Sequence, residues 1–464
     1  MKVCFVVPDG TGIKNYLFSN LLEHLSDNGL EIIIWHTLSK EAINEIKNIH
    51  PNIDINDFVL PNYKESIFEK FLREAISYAR LLRNSKVVNN KTIMSNWIKN
   101  PKKSSLKLFY KLVETCGYVL SQNYSWILKA DQVYLKSIHH STKLQQYEEF
   151  LSLHNIDCVL CTHQRAINAI PAMYAATKMK TKSISAIYSW DNMPKARLNT
   201  RSDYYIVWSE YMKNEFKIYY PEIDISKVIV TGTPQFEFYY DKSYIMDKEE
   251  FFKKYDLDIK KKTICYSGDD RLTSPHDPIY LDELASAIVT SELKDKVQIL
   301  LRRSPVDLSG RFDNVVKKYP HIIKVADPIW HFDGTDDNWT LIYPSIQDIK
   351  LLVSTAYHCD LVYNVGSTMA HDFAMFDKPA AYINYDAVVD DKWSTDTIYK
   401  FQHFKSQDGL DAVVWIDSKD EIASKVTKAL YNPNDIAVDR KKWLDKIAMY
   451  RESASENIAK FILG

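Results

Sequence analysis

The sequence lacks any apolar run that approaches the roughly 20 residues needed to cross a bilayer. The apolar stretch at residues 1–7 ends at Pro8, which makes it too short for a signal peptide. These two absences predict a cytoplasmic protein, either free or peripheral at the inner face of the cell membrane. With 464 residues, of which 46% are hydrophobic, the chain is long enough for two domains.

Cysteine is also scarce, and its six residues are scattered, mostly in apolar segments: Cys4, Cys116, Cys158, Cys161, Cys265 and Cys359. This distribution predicts reduced thiols in the core. Cys158 and Cys161 have the CxxC spacing, but no second pair and no nearby His-x-His motif completes a metal site. We therefore predict no bound metal.

The net charge is only −1, and no nucleic-acid recognition motif is present, so we predict no nucleic-acid partner. The charge is unevenly distributed, because residues 64–136 contain 14 Lys and Arg against 5 Asp and Glu. The three-to-four spacing of apolar residues predicts a helical insertion at about residues 63–147. Basic residues mixed with aromatic ones suit an anionic membrane surface or a lipid-linked acceptor, the aromatics being Trp97, Phe109, Tyr110, Tyr118 and Trp126. The alternative is a helical cap packed on a sheet.

Outside this insertion, buried strands alternate with helices, which predicts parallel sheets with ligands at the carboxyl ends of the strands. Three polar loops of the N-terminal half follow such strands. They contain Asp9 and Gly10, then His163, then Trp190, Asp191 and Asn192. The loop at residues 8–12 lacks the third glycine of a dinucleotide fingerprint, so we predict no nicotinamide or flavin site there.

The α/β pattern restarts after a charged segment at residues 238–262, which predicts a domain boundary. In this second half Gly268 follows a strand, and another strand ends in Arg302 and Arg303. A third strand is followed by Gly366, Ser367 and Thr368 at the start of a short helix that contains Asp372. Glycine, hydroxyls and free N–H groups at a helix start are suited to binding phosphate. The alternative is that Ser367 or Thr368 only caps the helix.

Several segments resemble a group of bacterial GT-B glycosyltransferase-like proteins, namely residues 189–193, 201–209 and 228–236. Residues 372–379 are also similar to a segment of the CDP-glycerol glycerophosphotransferases, which share that fold. Together the matches cover roughly residues 155–240 and 263–385. The helical insertion is not covered.

The resemblance implies an α/β protein of the GT-B class, with two Rossmann-like domains facing a central cleft. We expect an N-terminal acceptor domain at residues 1–238 and a C-terminal donor domain at 239–439. A C-terminal helix at 440–464 is expected to cross back to the first domain. The implied activity is metal-independent transfer of a sugar from a nucleotide-sugar donor to a hydroxyl of a surface glycan. The donor is a co-substrate, and no further cofactor is expected.

The resemblance also distributes roles among the candidate residues. Donor binding falls to the second half. The phosphates are expected at Gly366, Ser367 and Thr368 with Arg302 and Arg303, the ribose at Asp372, and a further donor contact at Gly268. The base remains open among Asp9, His163 and Asp191, with Gly10, Trp190 and Asn192 near the acceptor.

Two departures from related patterns limit these assignments. The glycerophosphotransferases carry a His in an Arg-Pro-His-Pro-like motif where this chain has Arg302, Arg303, Ser304 and Pro305, so that catalytic assignment is not transferred. A pair of Glu residues seven apart, common in retaining enzymes, is missing, which favours inversion. Two alternatives stay open: transfer of a polyol phosphate from a CDP-linked donor, and a non-catalytic module that binds sugar nucleotides.

Overall fold

The computed structural model describes residues 1–97, 104–139, 144–332 and 342–464. The chain divides into two compact units. The first unit comprises Met1–Pro234, Phe401–His403 and Ile447–Gly464, and the second comprises Gln235–Lys400 and Phe404–Lys446. Residues 98–103 and 140–143 of the predicted insertion lie outside the described residues.

Parallel strands form the sheet of the first unit, and most of them are apolar runs buried on both faces, as expected for a sheet with helices on each side. Seven strands are found in the described part of this unit: β1 (Lys2–Val7), β2 (Glu31–His36), β3 (Ile55–Val59), β4 (Cys158–Cys161), β5 (Lys182–Ala186), β6 (Tyr204–Val207) and β7 (Val228–Val230). Their order is β3-β2-β1-β4-β5-β6-β7. The chain therefore starts at the centre of the sheet, builds one side, and returns to build the other.

Helices connect these strands and form the insertion between β3 and β4. They are α1 (Ile13–Tyr16), α2 (Leu21–Asp27), α3 (Lys40–Ile49), α4 (Ile67–Val87), α5 (Ser104–Ser121), α6 (Tyr124–His139), α7 (Leu144–Leu153), α8 (Ile170–Met179) and α9 (Glu210–Tyr219). The long helix α4 begins with a capping box, in which Ser66 Oγ accepts the Glu69 N–H and the Glu69 carboxylate accepts the Ser66 N–H.

The insertion is joined to the sheet domain by buried and half-buried ion pairs. Three of them connect α4 or α6 to residues 197–222: Glu74 with Arg197 (3.3 Å), Arg80 with Glu222 (2.9 Å) and Asp131 with Arg201 (3.0 Å). Arg80 is 2% exposed and its guanidinium also lies 4.9 Å from the centre of the Tyr220 ring. Arg80, one of the basic residues counted in the insertion, is thus buried and paired with carboxylates, so it does not contribute to the charge of the surface.

The second unit repeats the same sheet pattern. Its strands are β8 (Lys262–Ser267), β9 (Val297–Arg302), β10 (Ile323–Val325), β11 (Trp330–Phe332), β12 (Ile342–Pro344), β13 (Leu361–Asn364), β14 (Ala380–Ile383) and β15 (Val414–Ile416). Six of them form a parallel sheet in the order β10-β9-β8-β13-β14-β15, while β11 and β12 pair separately and antiparallel. Both large sheets therefore have the classical Rossmann strand order.

The remaining helices are α10 (Lys248–Lys254), α11 (Asp277–Val289), α12 (Asp313–Lys318), α13 (Ile346–His358), α14 (Met369–Ala374), α15 (Thr395–Tyr399), α16 (Ile422–Tyr431), α17 (Arg440–Ile447) and α18 (Ala454–Leu463). Helix α18 belongs to the first unit, where Lys182 Nζ donates to the carbonyl oxygens of Phe461 (2.6 Å) and Ile462 (3.1 Å). In the described residues no helix is both long enough and apolar enough to pass through a membrane.

The prediction of two Rossmann-like parallel sheets is confirmed. The segment predicted as one C-terminal helix at 440–464 is divided instead, with α17 in the second unit and α18 in the first. The first unit's main segment ends at Pro234, whereas we expected the boundary at residue 238. The strands β3, β10, β11 and β12 were not predicted. β3 and β10 lie at the edges of the two large sheets, and β10, β11 and β12 are only three residues long.

Gly117 allows α5 to approach α4 closely. A Cβ atom at this position would lie 2.7 Å from the Ala75 carbonyl oxygen and 2.9 Å from the Tyr78 ring. We expect Gly117→Ala to lower the free energy of unfolding by about 1–3 kcal/mol, although alanine is the better helix former. Urea denaturation measures the effect. The control is Thr115→Ala on the exposed side of α5, expected to stay within about 0.5 kcal/mol of the wild type. An equal effect of the two substitutions would contradict the close approach.

Candidate functional sites

Both sheets have a topological switch point, where the first strand lies beside the fourth and the chain direction across the sheet reverses. In the first unit β1 pairs with β4, and in the second unit β8 pairs with β13. Ligands of open α/β sheets bind at the carboxyl ends of such strand pairs. The candidate residues Asp9 and His163 follow β1 and β4, and Gly268 and Gly366 follow β8 and β13.

The first switch point brings Asp9 and His163 into direct contact, 154 residues apart in the chain. His163 Nδ1 lies 2.8 Å from Asp9 Oδ2 and 3.1 Å from Oδ1. The Thr11 N–H donates to Asp9 Oδ1 at 2.9 Å, which fixes the carboxylate in its loop. Gly12 has φ +86°, and a Cβ there would lie 2.8 Å from the Thr162 carbonyl oxygen, so the close approach of the two loops requires glycine. The neighbouring Gly10 is buried in the same loop.

The other ring nitrogen of His163 has a different environment. Because a carboxylate only accepts hydrogen bonds, the contact with Asp9 assigns the proton to Nδ1 and leaves Nε2 as an acceptor. Nε2 is buried and has no hydrogen-bond partner in the described part of the chain. The ring packs edge-on against Tyr188 at 4.8 Å between centroids, and the residue is 5% exposed. Such a pair is equipped to take a proton at Nε2 while Asp9 stabilises the imidazolium.

Asp191, the third candidate for the base, is occupied by other contacts. Its Oδ1 accepts the Ser189 hydroxyl (2.7 Å) and the Asn192 amide (2.8 Å), and its Oδ2 binds the Lys195 ammonium. Burial alone would raise the pKa of Asp191, but Lys195, His403 and the hydrogen bond from Ser189 hold that pKa well below its usual value. A carboxylate held ionised in this way is a weak base.

The loop that contains Asp191 is held in place by Gln164, which was not among the candidates from the sequence. Gln164 Nε2 donates to Asn192 Oδ1 at 3.0 Å, and the Gln164 carbonyl accepts the N–H groups of Asn199 and Thr200. Trp190 is 3% exposed and its ring packs edge-on against His403 at 4.9 Å. The structure therefore gives Trp190, Asp191 and Asn192 structural contacts, and acceptor binding by Trp190 and Asn192 stays a prediction.

In the second unit, Arg302 forms a buried ion pair with Asp348. It ends β9 and is 7% exposed, and its Nη2 lies 2.8 and 3.0 Å from the two carboxylate oxygens of Asp348 on α13. Asp348 also accepts the Ile329 N–H (2.9 Å) and the Trp330 indole N–H (2.7 Å). The sequence did not point to Asp348, which lies 46 residues further along the chain. Arg302 therefore has a carboxylate partner already, although Nη1 has no hydrogen-bond partner among the described residues.

Three neighbouring strands align polar side chains beside this guanidinium. Ser267 pairs in register with Arg302, and the pairing of Tyr266 with Tyr363 brings Asn364 next to Ser267. Asn364 is fully buried, its Oδ1 accepts the Ser367 N–H at 2.8 Å, and its Nδ2 has no hydrogen-bond partner within the described ranges. Three adjacent strands thus end in the Ser267 hydroxyl and in two buried donors without a partner among the described residues, Arg302 Nη1 and Asn364 Nδ2.

The loop after β13 forms at the same edge. Gly366 has φ +71°, and a Cβ there would lie 2.8 Å from the Phe404 ring, so the glycine is required by the backbone and by its aromatic neighbour. The Ser267 hydroxyl lies 3.4 Å from Ser367 Oγ, and the Ser367 carbonyl accepts the Tyr382 hydroxyl at 2.9 Å. Thr368 is exposed and makes no side-chain capping bond to α14, so the capping alternative does not hold for Thr368.

The other donor-side candidates also have protein partners. Arg303 binds Asp313 (3.2 Å) and Asp327 (3.0 Å). Asp372 Oδ1 accepts the Tyr239 hydroxyl at 2.6 Å. A Cβ atom at position 268 would lie 2.8 Å from the Phe312 ring, so the close approach of this ring explains why the residue is glycine. Phosphate and ribose binding by these residues stay predictions.

A second buried polar centre supports the loop after β8, and the sequence did not identify it. Asp277 is fully buried, and its carboxylate accepts the Asp269 N–H (2.7 Å) and the Ser274 hydroxyl (2.6 Å). Burial raises the pKa of Asp277 to about 6. Arg311 donates to the carbonyl oxygens of Asp269 and Ser274, both at 2.7 Å. These contacts fix the loop, and across the described residues no three His, Cys, Asp or Glu side chains group closely enough to hold a metal ion.

Comparison with known proteins gives no relationship from sequence, since no protein-family model and no curated protein matches the chain. Solved structures do match. The UDP-GlcNAc 2-epimerase from Methanocaldococcus jannaschii superposes with a TM-score of 0.55 at 12% identity over 100% of both chains. A glycosyltransferase from Rickettsia africae gives 0.53 at 13% identity, over 100% of this chain and 98% of that one. The UDP-GlcNAc 2-epimerase from Neisseria meningitidis gives 0.50 at 12% identity over 100% of both.

The protein has the GT-B fold. Its structural neighbours are nucleotide-sugar enzymes of that fold, and at 12–13% identity the likeness concerns the fold alone. The resemblance to GT-B proteins noted in the sequence is confirmed at this level.

The buried pair of Arg302 and Asp348 gives a stability prediction. We expect Asp348→Ala to lower the free energy of unfolding by about 3–5 kcal/mol, because it leaves a buried guanidinium without its counter-charge. The matched control is Asp313→Ala, which removes a half-exposed partner of Arg303 and should cost less than about 1 kcal/mol. Urea denaturation of both variants measures the two changes in the free energy of unfolding. Equal changes would show that Arg302 is not a buried charge.

The lowered pKa of Asp191 gives a pH dependence. The pKa of Asp191 is lower in the folded protein than in the unfolded chain, where it is about 3.9. Such a carboxyl stabilises the folded state at pH values above the unfolded pKa, and this stabilisation is lost as the pH falls through the folded pKa. We therefore expect Asp191→Asn to destabilise the protein at neutral pH, and the difference from wild type to shrink below about pH 4. Urea midpoints measured across this range test it, with Lys195→Met expected to reduce the same pH dependence. A difference that grew on acidification would contradict the assignment.

Proposed function

We propose that the protein transfers a sugar from a nucleotide-sugar donor to a hydroxyl of a glycan acceptor, with inversion at the sugar carbon and without a metal. The observation that carries the proposal is the pair of Asp9 and His163 at the first switch point, with His163 Nε2 buried and unpartnered in the described chain. A proton acceptor at the carboxyl edge of the sheet is the group that hydroxyl activation requires.

The proposed reaction is a single displacement. His163 Nε2 takes the proton of the acceptor hydroxyl as the acceptor oxygen forms its bond to the sugar carbon. The bond from that carbon to the nucleoside diphosphate breaks, and its electron pair leaves with the phosphate. Asp9 keeps the imidazole oriented and stabilises its positive charge.

The donor is assigned to the second unit. We infer that its phosphates contact the edge formed by Ser267, Ser367 and Thr368, where hydroxyls combine with the unpaired donors of Arg302 and Asn364. Hydrogen-bond donors preorganised around a departing phosphate stabilise the charge that develops on it. The ribose role of Asp372 then requires its contact with Tyr239 to coexist with the ligand. The N. meningitidis epimerase is described as bound to UDP-GlcNAc, which makes UDP-sugars the first donors to test.

The acceptor is proposed to be a surface glycan, lipid-linked and presented at the inner face of the cell membrane. The charge and exposed apolar residues of the helical insertion support this part of the proposal.

Thermal unfolding in the presence of UDP-, GDP-, CMP- and CDP-linked donors tests binding, and mass analysis of the products tests the reaction. We expect stabilisation by one donor class and formation of a glycosylated acceptor. His163→Gln should lower kcat by roughly 10²–10⁴-fold and keep the nucleotide-dependent stabilisation. The matched control is His154→Gln, whose ring packs on Phe150 and on Phe58 of the edge strand β3, and it should leave kcat unchanged.

Each alternative has its own outcome in these experiments. Release of CMP together with transfer of a polyol phosphate to the acceptor would assign polyol-phosphate transfer to the protein instead of sugar transfer. Conversion of the donor sugar without any acceptor would indicate epimerisation. Binding of nucleotide sugars with no product from any acceptor, and no effect of His163→Gln, would indicate a non-catalytic binding module. Absence of stabilisation by every donor would contradict the proposed function itself.

A further inference from the structure

The helix α5 exposes large apolar side chains along its solvent side. We call this surface the α5 outer face: Lys107, Leu108, Lys111, Leu112, Tyr118 and Val119. Leu108 is 61% exposed, Leu112 53%, Tyr118 59% and Val119 50%. Positions 108, 112 and 119 recur on one side of a helix, so they form a stripe. No other helix in the described chain exposes as many large apolar side chains.

This stripe is separate from the side of α5 that packs inside the insertion. That inner side contains the fully buried Val113, Gly117 against α4, and Phe109, whose ring lies 6.0 Å from that of Phe71. Helix α5 is therefore apolar on two sides, although only the inner side packs against the rest of the described chain. A helix that is apolar on both its core side and its outer side needs a second apolar environment.

The charge of the surface indicates what that environment is. Lys107 and Lys111 are exposed, whereas the single acidic residue of α5, Glu114, accepts the Trp97 indole N–H at 2.8 Å. The following helix α6 continues the pattern with exposed Trp126, Val133 and two lysines, and its single carboxylate, Asp131, binds Arg80 and Arg201. The described outer surfaces of α5 and α6 thus combine apolar side chains with lysines and carry no exposed carboxylate.

We propose that the α5 outer face docks on an anionic lipid bilayer. Leu108, Leu112 and Val119 enter the boundary between headgroups and acyl chains, and Lys107 and Lys111 meet lipid phosphates, as in interfacial amphipathic helices. A second copy of the chain fits less well, because lysine is depleted from the centre of protein interfaces. The inference does not depend on the transfer chemistry, so nucleotide binding and vesicle binding test separate claims.

The structure also corrects which aromatic residues belong to such a surface. Trp97 packs on Tyr78 and Tyr110, with centroids 5.0 and 6.1 Å apart, and Phe109 packs on Phe71. These side chains stabilise the contacts between helices. Tyr118 and Trp126 remain exposed, and leucine rather than aromatic residues provides most of the apolar area on α5.

Flotation of the full-length protein with vesicles tests the proposal. We expect binding to vesicles that contain phosphatidylglycerol, much weaker binding to pure phosphatidylcholine, and weakening by salt. The double variant Leu108→Ser, Leu112→Ser should bind at least about 30-fold more weakly, because two apolar side chains no longer enter the bilayer. Lys107→Gln, Lys111→Gln should weaken binding to the anionic vesicles by about 30-fold and leave binding to phosphatidylcholine unchanged.

Leu153→Ser is the matched control, since Leu153 is 76% exposed in the same unit but lies on α7. It should bind like the wild type. Equal binding of the wild type to both vesicle types, no binding to either, or an equal loss with Leu153→Ser would overturn the proposal. Sedimentation velocity completes the test, because self-association that the double leucine variant abolishes would assign the face to a second copy instead.

Discussion

The parallel pairing of β1 with β4 is the contact on which the proposed chemistry depends. Two strands that are more than 150 residues apart in sequence become neighbours, and only this neighbourhood places the carboxylate after one beside the imidazole after the other. Gly12 makes the approach of the two loops possible. The same arrangement recurs in the second unit, where β8 and β13 bring two serine hydroxyls to 3.4 Å. One strand order, used twice, therefore generates both candidate sites.

Ion pairs decide which charged side chains remain available to a ligand. Arginines at strand ends suggest phosphate binding in a sequence, but burial of a guanidinium is costly unless a carboxylate accompanies it. Arg302 has Asp348, Arg303 has two carboxylates, and Arg80 in the insertion has Asp131 and Glu222. Among the described residues, what the second site retains for a ligand is accordingly small: one NH2 group each on Arg302 and Asn364 that has no hydrogen-bond partner, together with hydroxyls.

The elements of the fold were predictable where they depend on local pattern. Most buried strands and the polar loops at their carboxyl ends follow from apolar runs and turn residues, so Asp9, His163, Arg302 and Gly366 could be chosen from the sequence. The contact of Asp9 with His163 could not, because it depends on which strands pair. Asp348 and Asp277 gave no signal, since a buried carboxylate on a helix looks like a solvated one until its neighbours are known. The α5 outer face could not be predicted for a related reason, because a helix with apolar residues on two sides does not show in its sequence which side is buried.

The ion pairs between the insertion and residues 197–222 have a consequence for how this chain can be divided. Glu74, Arg80 and Asp131 supply counter-charges that Arg197, Glu222 and Arg201 need inside the sheet domain. A shortened chain that joined β3 directly to β4 would remove Glu74, the carboxylate partner of Arg197, and would leave Arg201 and Glu222 with only each other, 3.6 Å apart. The insertion is therefore joined to the sheet domain by charge, and a version of the chain without it would need a new partner for Arg197.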